Sequence, residues 1–530
     1  MNTRNILILL SALLISASAC TDFLDHPPKT ALTQEGLYAD LDNVELAVIG
    51  FMGRVRNTRV ERDYCIFHLG TDEGQQGEYQ VMTNADQAAM DYYNTRMAAD
   101  NATLFRQWSD QRWPVLAQLM QTAYSLENYS GDEADRANQL LGEVCFWRAM
   151  VTFELCQYWG DIPILDMNQL PFHGTARRPV KDVYEFIISD LERAERYLPP
   201  TQTNRARPTS GIATALLGKV YLYAWEESDI RDYAKALTYF EQLTASGSRY
   251  SLVANYADLF DNSRSTFVQN STESIYEFQF DVRQPFGNGP RAGIQWQTGS
   301  RPASGWGGNC VFGGYDLLMP TRYYFSMANE GGVWEEGDLR KDVSIRYDFV
   351  WTNPVTGTTH YPILDPLFGL DQLDPHSKKF EDHRIDGHDS FWASGKNVFY
   401  IRLADIWLCQ AECLNELGRT PEAVAIVNDR IRARAWGGTL PAERAWNPGM
   451  SQSQFRTMIL DERMRELGME GWRRMDLIRT GTFVELIRER NRWAGEADAI
   501  KEHHMKFPIP LREIQENDDI SANDQNPGYN

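Results

Sequence analysis

The sequence is poor in cysteine, poor in positive charge and poor in long apolar runs. Seven cysteines are spread over 530 residues. No two stand as a CxxC pair, so the spacing offers no zinc site. Cys409 and Cys413 are four apart on one predicted helix, where a bridge would strain disulfide geometry. Cys145 sits among apolar neighbours and reads as a small hydrophobe. Basic residues number 52 against 73 acidic ones, for a net charge of -21. A chain this acidic is repelled by phosphate backbones, which argues against nucleic acid as a partner. An anionic membrane surface would not attract it either. The run from Ile6 to Ala19 is shorter than the roughly 20 apolar residues a spanning helix needs. Catalytic signatures are missing as well. The chain has no HExxH helix, no EF-hand loop, no GxSxG elbow, and no glycine loop followed by Lys-Ser/Thr. No cofactor is implied.

What is present begins at the N-terminus. Arg4, the apolar run and the small residues Ala17-Ser18-Ala19 before Cys20 have the form of a secretory signal. A thiol at the position after the cut can accept a diacylglyceryl group, and this pattern resembles a bacterial lipobox. Residues 1–19 are expected to be the signal peptide, Cys20 the lipidated residue, and residues 20–33 a polar tether. Losing Arg4 would take the net charge from -21 to -22, so membrane attachment would rest on acyl chains. If Cys20 is lipidated, six cysteines remain, an even number that permits disulfides in an exported protein.

With 43% hydrophobic and 12% aromatic residues, the chain can bury a large core. The pattern is helical from Glu35 to Val55 and from Trp108 to Tyr124, the latter broken near its start by Pro114. Leu140, Val144, Trp147, Val151, Leu155 and Tyr158 mark one face of a long helix, stopped by Gly160 and Pro163. Further helices are predicted over Val183 to Tyr197, Ala213 to Trp225, Tyr233 to Leu243, and Leu403 to Leu417. Thr420 is expected to cap a following helix, with Pro421 at its first position. Leu417-Gly418-Arg419 with Glu422-Ala423 resembles a tetratricopeptide turn, and several hairpins of this size favour a stacked, degenerate repeat. Between about 262 and 400 the character changes. Glu273 to Phe280 alternates like a strand. Glycine and proline then become dense, with Phe286, Trp296, Trp306, Phe312 and Tyr315 among them. Loops this long are usually functional. The fold expected is mostly α, a degenerate helical-repeat scaffold with a large, loop-rich, minor-β insertion.

A set of short elements, in order, resembles the SusD/RagB family of outer-membrane nutrient-binding lipoproteins. They are Cys20-Thr21-Asp22-Phe23-Leu24-Asp25, Leu69-Gly70-Thr71-Asp72-Glu73 and Tyr158-Trp159-Gly160-Asp161-Ile162-Pro163. Arg178-Pro179-Val180, Tyr400-Ile401-Arg402-Leu403-Ala404-Asp405 and Asp461-Glu462-Arg463 follow. Near the end stand Phe507-Pro508-Ile509-Pro510 and Asn526-Pro527-Gly528-Tyr529. The resemblance spans the mature chain, so residues 34–530 are expected to form a single domain of this type. It implies a binding protein that partners a SusC-like TonB-dependent transporter, takes up oligosaccharide, performs no chemistry, and is held on the cell surface at the outer membrane. Asp22 and Asp25 fit surface export. Two other readings stand beside it, a lipid-anchored glycan-degrading enzyme and a helical scaffold that binds protein.

Asp72-Glu73 could suggest catalysis, but a glycosidase needs its two carboxyls facing one bond, about 5–9.5 Å apart. Neighbours in an extended segment point to opposite faces. The series Glu462, Arg463, Glu466, Glu470, Arg473, Arg474, Asp476 and Arg479 reads as an ion-pair network that locks the last helices. His376, Asp382, His383, Asp386, His388 and Asp389 match no metal spacing and read as a solvated loop. The positive case rests on aromatics. Sugar rings have apolar faces and polar rims, which suit an exposed indole or phenol flanked by hydrogen-bonding groups. Trp296, Arg301 and Trp306 in the glycine-rich loop are expected to join Asp72, Gln76, Tyr79, Tyr92, Tyr93 and Asn94 in one ligand-binding site.

Overall fold

The structure is a computed structural model. It describes residues 34–38, 40–60, 66–77, 84–110, 112–167, 174–281, 292–300, 303, 311–347, 349–362, 373, 375–385, 394–495 and 498–529. Cys20, the tether, Cys65 and Cys310 lie outside the described residues.

The scaffold is a succession of antiparallel helices. After α1 (Leu41–Val60) and the short α2 (Ala85–Tyr92) come α3 (Trp113–Glu127), α4 (Ala134–Trp159), α5 (Val180–Tyr197), α6 (Ser210–Tyr223) and α7 (Tyr233–Thr244). From α3 onward each packs on the next, and α1 lies against α3 and α4. The chain then leaves the stack for more than 150 residues. It returns as α8 (Leu403–Glu416), which packs on α7 as if the chain had not been interrupted. Next come α9 (Thr420–Ile426), continued by a π turn over Val427–Arg432, and α10 (Gln452–Leu467). The repeat therefore closes across the insertion.

The local chemistry explains the boundaries. Asp232 caps α7 by accepting from the amides of Ala234 and Lys235. Pro114 falls in the first turn of α3, where no amide partner is lost, so it starts that helix and does not break it. Gly160, at φ +74°, ends α4. Two expectations need correction. Thr420 is not the cap of α9. Arg419 holds that position, and the Thr420 hydroxyl instead donates to Asn415 Oδ1 at 2.8 Å. Nor does α4 bury a single face. Every residue from Leu140 to Trp159 is buried, so its polar side chains need partners. Arg148 grips Asp190 at 2.6 and 2.7 Å, Glu154 meets Arg59 and Arg112, and Gln157 donates to Tyr184 Oη and the Tyr223 carbonyl.

The insertion is stapled at its base. Strand β2 (Ser274–Phe278) runs antiparallel to β4 (Val398–Arg402), with Val398 opposite Phe278 and Arg402 opposite Ser274. One hydrophobic cluster extends from Leu41 to Ile520 and includes both strands. Cys145, Cys156, Cys409 and Cys413 are buried free thiols.

Candidate ligand-binding site

The site is built on the irregular segment 66–77. Gly70 has φ +69°, and a Cβ there would come within 2.0 Å of the Met90 carbonyl oxygen. Glycine is therefore required for the segment to lie on α2. Asp91, at the end of α2, holds both ends of the turn, accepting from Gly70 N at 2.6 Å and Gln76 N at 2.5 Å. Burial pushes its carboxyl up to about 7, although the two amides pull the other way. The C-terminal region grips the same turn. Asn491 donates to the Thr71 carbonyl at 2.8 Å and Trp493 Nε1 to the Gln76 carbonyl at 3.2 Å.

Two strips of the insertion are laid beside it. In the two-residue strands β1 (Gly74–Gln75) and β3 (Met319–Pro320), Gly74 faces Pro320 and Gln75 faces Met319. Gly77 N donates to Asp316 O at 2.8 Å, and Thr321 N to Glu73 O at 2.9 Å. The strip 292–300 then docks on 311–318, with Tyr315 N on Trp296 O at 2.8 Å and Leu318 N on Gln297 O at 3.1 Å. A Cβ on Gly314 would sit 2.4 Å from Trp296 O, so the glycines here allow backbone to meet backbone. The early polar segment and the glycine-rich loop, far apart in sequence, are thus neighbours.

The predicted site residues separate into three groups. Trp296 is half-buried and meets Tyr315 edge-on, with ring centres 5.3 Å apart. Tyr92 is half-buried and tilted on Trp493 at 5.0 Å, and Asn94 is exposed. Asp72, Gln76 and Tyr93 are corrected: all three are buried. Both oxygens of Asp72 accept from Arg473 at 2.6 Å, and Arg490 adds a contact at 3.2 Å. The Tyr93 hydroxyl donates to the Gly70 carbonyl, and burial pushes it up to about 12. Gln76 serves through its backbone, and its carboxamide, like that of Gln75, is buried without a hydrogen-bond partner among the described residues. Tyr79, Arg301 and Trp306 lie outside the described residues. Sequence reasoning passed over Asp91 and Trp493, and named Tyr315 among the loop aromatics without placing it in the site. The glycine-flanked aromatic at 315 was a usable signal, whereas nothing local marks Trp493.

Other chemistry-bearing clusters are structural. Asp72 and Glu73 diverge, the latter to His68 Nδ1 at 2.9 Å, and share no bond between them. In the histidine-rich stretch, expected as a solvated loop, His376 and Asp382 are buried. His376 lies against Glu381 at 3.2 Å, and Asp382 lies under Arg384, Asn262 and Ser394. Asp386, His388 and Asp389 lie outside the described residues. The charged series forms the expected network. Arg463 meets Asp405 and Asp476 at 2.9 and 2.8 Å, and Arg479 meets Glu412 at 2.6 Å.

Comparison with known proteins agrees with this fold. A family model described as "SusD family" matches residues 320–529, and one described as "Starch-binding associating with outer membrane" matches residues 22–222. A SusD-like protein of Formosa agariphila is 26% identical over 552 residues, covering 100% of both chains. The starch-binding protein SusD of Bacteroides thetaiotaomicron is 23% identical, with 87% of each covered. A laminarin-binding SusD-like protein superposes with a TM-score of 0.72 at 22% identity, over 92% of this chain and 99% of that one. Surface glycan-binding protein A of B. thetaiotaomicron, solved with laminarihexaose, gives 0.70 at 17% identity over 92% and 99%. The chain belongs to the SusD/RagB family.

Proposed function

We propose that this protein is a surface lipoprotein that captures oligosaccharide and passes it to a SusC-like TonB-dependent transporter in the outer membrane. The observation that carries the reading is the junction of segment 66–77 with strips 292–300 and 311–321, which sets half-buried Trp296 and Tyr315 in the insertion wall. An indole that keeps part of its face open offers a sugar ring the apolar contact that hydroxyl-only surfaces cannot. Trp306 and Arg301 follow Trp296 on the same loop and belong to the same proposed site, as do Tyr79, Tyr92 and Asn94. Proteins of like fold bind laminarin and laminarihexaose, and the family description supports outer-membrane association. The anchor in this reading is a lipid on Cys20, since a body of charge -22 once Arg4 is removed gains nothing from anionic headgroups.

The function is binding without turnover. Titration of the purified protein with intact neutral oligosaccharides, laminarihexaose among them, is expected to give saturable binding. Chromatography after prolonged incubation is expected to return the ligand uncleaved. Release of shorter products by the homogeneous protein would assign it to the enzymes instead.

A further inference from the structure

A second cleft, of about 150 Å3, opens where the α5–α6 linker meets β2, and it shares no lining residue with the site above. Three arginines line it, Arg205, Arg207 and Arg249. In a chain of net charge -21 this is a local reversal of sign, and it is incompletely neutralised. Arg207 pairs with Glu45 at 2.6 Å and Glu143 at 3.0 Å, yet its second terminal nitrogen is buried without a hydrogen-bond partner among the described residues. Arg249 donates to the Pro200 carbonyl, a neutral group. Arg249 and Arg205 make no salt bridge among the described residues, and the carboxylate that feels Arg205 is Glu277 in the same cleft.

The remaining lining fits the same ligand. The Tyr250 hydroxyl is buried with the Thr209 side chain as its polar neighbour and lies against Gly211, where a Cβ would approach it to 2.1 Å. Thr209 precedes the 14-residue α6 but its side chain makes no capping bond, so the positive end of that helix adds to the field of the arginines. Glu277 is the opposing charge. Its oxygens are already turned to Asn270 N at 3.1 Å and to Asn397 Nδ2 at 2.9 Å. Burial raises its carboxyl toward the neutral form, against the pull of Asn397 and Arg205.

We propose that this cleft is an oxyanion site that takes a single carboxylate or sulfate group, with Arg205 and Arg249 as the charge-bearing contacts and the Tyr250 hydroxyl as a further donor. Guanidinium groups meet both oxyanions with paired, charge-assisted hydrogen bonds. The inference does not rest on the glycan reading, because the two sites have separate linings.

The test is equilibrium dialysis of the full chain in nonionic detergent, at fixed ionic strength because exposed charge is screened. Radiolabelled sulfate and glucuronate are the probes, and glucose is the neutral control. Saturable binding of sulfate or glucuronate but not glucose is expected, and which of the two binds assigns the group. The double variant Arg205→Gln, Arg249→Gln changes two exposed side chains, so it should melt like the parent. It should bind the anion at least about tenfold more weakly. Neutral-oligosaccharide binding should be unchanged, which separates this outcome from failure of the other site. Absence of saturable anion binding, equal uptake of glucose, or a double variant that binds as tightly as the parent overturns the proposal.

Discussion

Trp296 and Asp72 belong to the same neighbourhood and answer to opposite forces. Trp296 keeps part of its ring in solvent and touches Tyr315 by an edge. Asp72 has no exposure and is held by two arginines. Trp296→Ala is expected to weaken oligosaccharide binding by on the order of 1 kcal/mol, roughly five- to tenfold, with little change in melting temperature. Asp72→Ala leaves Arg473 without its carboxylate in the interior, while Arg490 keeps Asp461 at 3.0 Å, and is expected to lower stability by about 3–5 kcal/mol. Calorimetric titrations and melts on both variants check the pair. An early-melting Trp296→Ala would make the indole a core residue. The sequence could show that Asp72 and Glu73 point apart, because alternation along an extended segment requires it. It could not show that Asp72 is buried, because its partner Arg473 lies 401 residues away.

At the scale of elements, helices were legible wherever apolar spacing and end signals agreed. The end of α4 and both ends of α5 fall within a few residues of those expected, because Gly160 and Pro199 stop the chain locally. Less legible was how closely helices approach, since that depends on the neighbour. Gly218 in α6 has Phe240 of α7 against it, and a Cβ there would sit 2.5 Å from the buried ring. Gly50, exposed on α1, has nothing within 4 Å of the same position. Identical substitutions should therefore have opposite signs. Gly218→Ala overpacks the α6–α7 seam and should cost about 1–3 kcal/mol. Gly50→Ala removes backbone freedom from the unfolded chain and should stabilise by roughly 0.5–1 kcal/mol. Chemical denaturation of both variants measures the difference. Equal signs would mean that the α6–α7 contact yields easily.

Across the whole molecule, the insertion is bound to the end of the repeat by buried charge. Glu273, Asp338, Arg340, Lys379 and Arg402 come from the insertion. They meet Glu466 and Glu470 directly, through Arg434 for Glu273, or through Arg340 for Asp338: Arg340 at 2.9 Å and Arg402 at 2.6 Å from Glu466, and Lys379 at 2.8 Å from Glu470. Burial alone would raise these carboxyls. The guanidinium groups of Arg434, Arg402 and Arg340 outweigh it and hold Glu466 down at about 2. Glu381 under Arg346 and Asp382 under Arg384 are also held at about 2. Each native value lies below the value near 4 of an unfolded carboxyl. The unfolded chain therefore binds more protons between the two, and stability must fall as pH drops through that window. The melting temperature is expected to be flat with respect to these groups above about pH 5 and to fall steeply between about 4 and 2. The insertion carries strips 292–300 and 311–321 and is held to α10 by these pairs, so oligosaccharide affinity should fall over the same interval. Limited proteolysis should cut first between residues 245 and 402. Added salt should reproduce little of the effect at neutral pH, because interior pairs are poorly screened. An acid transition in which α4 and the insertion become protease-sensitive together would place the weak joint in the helical stack instead.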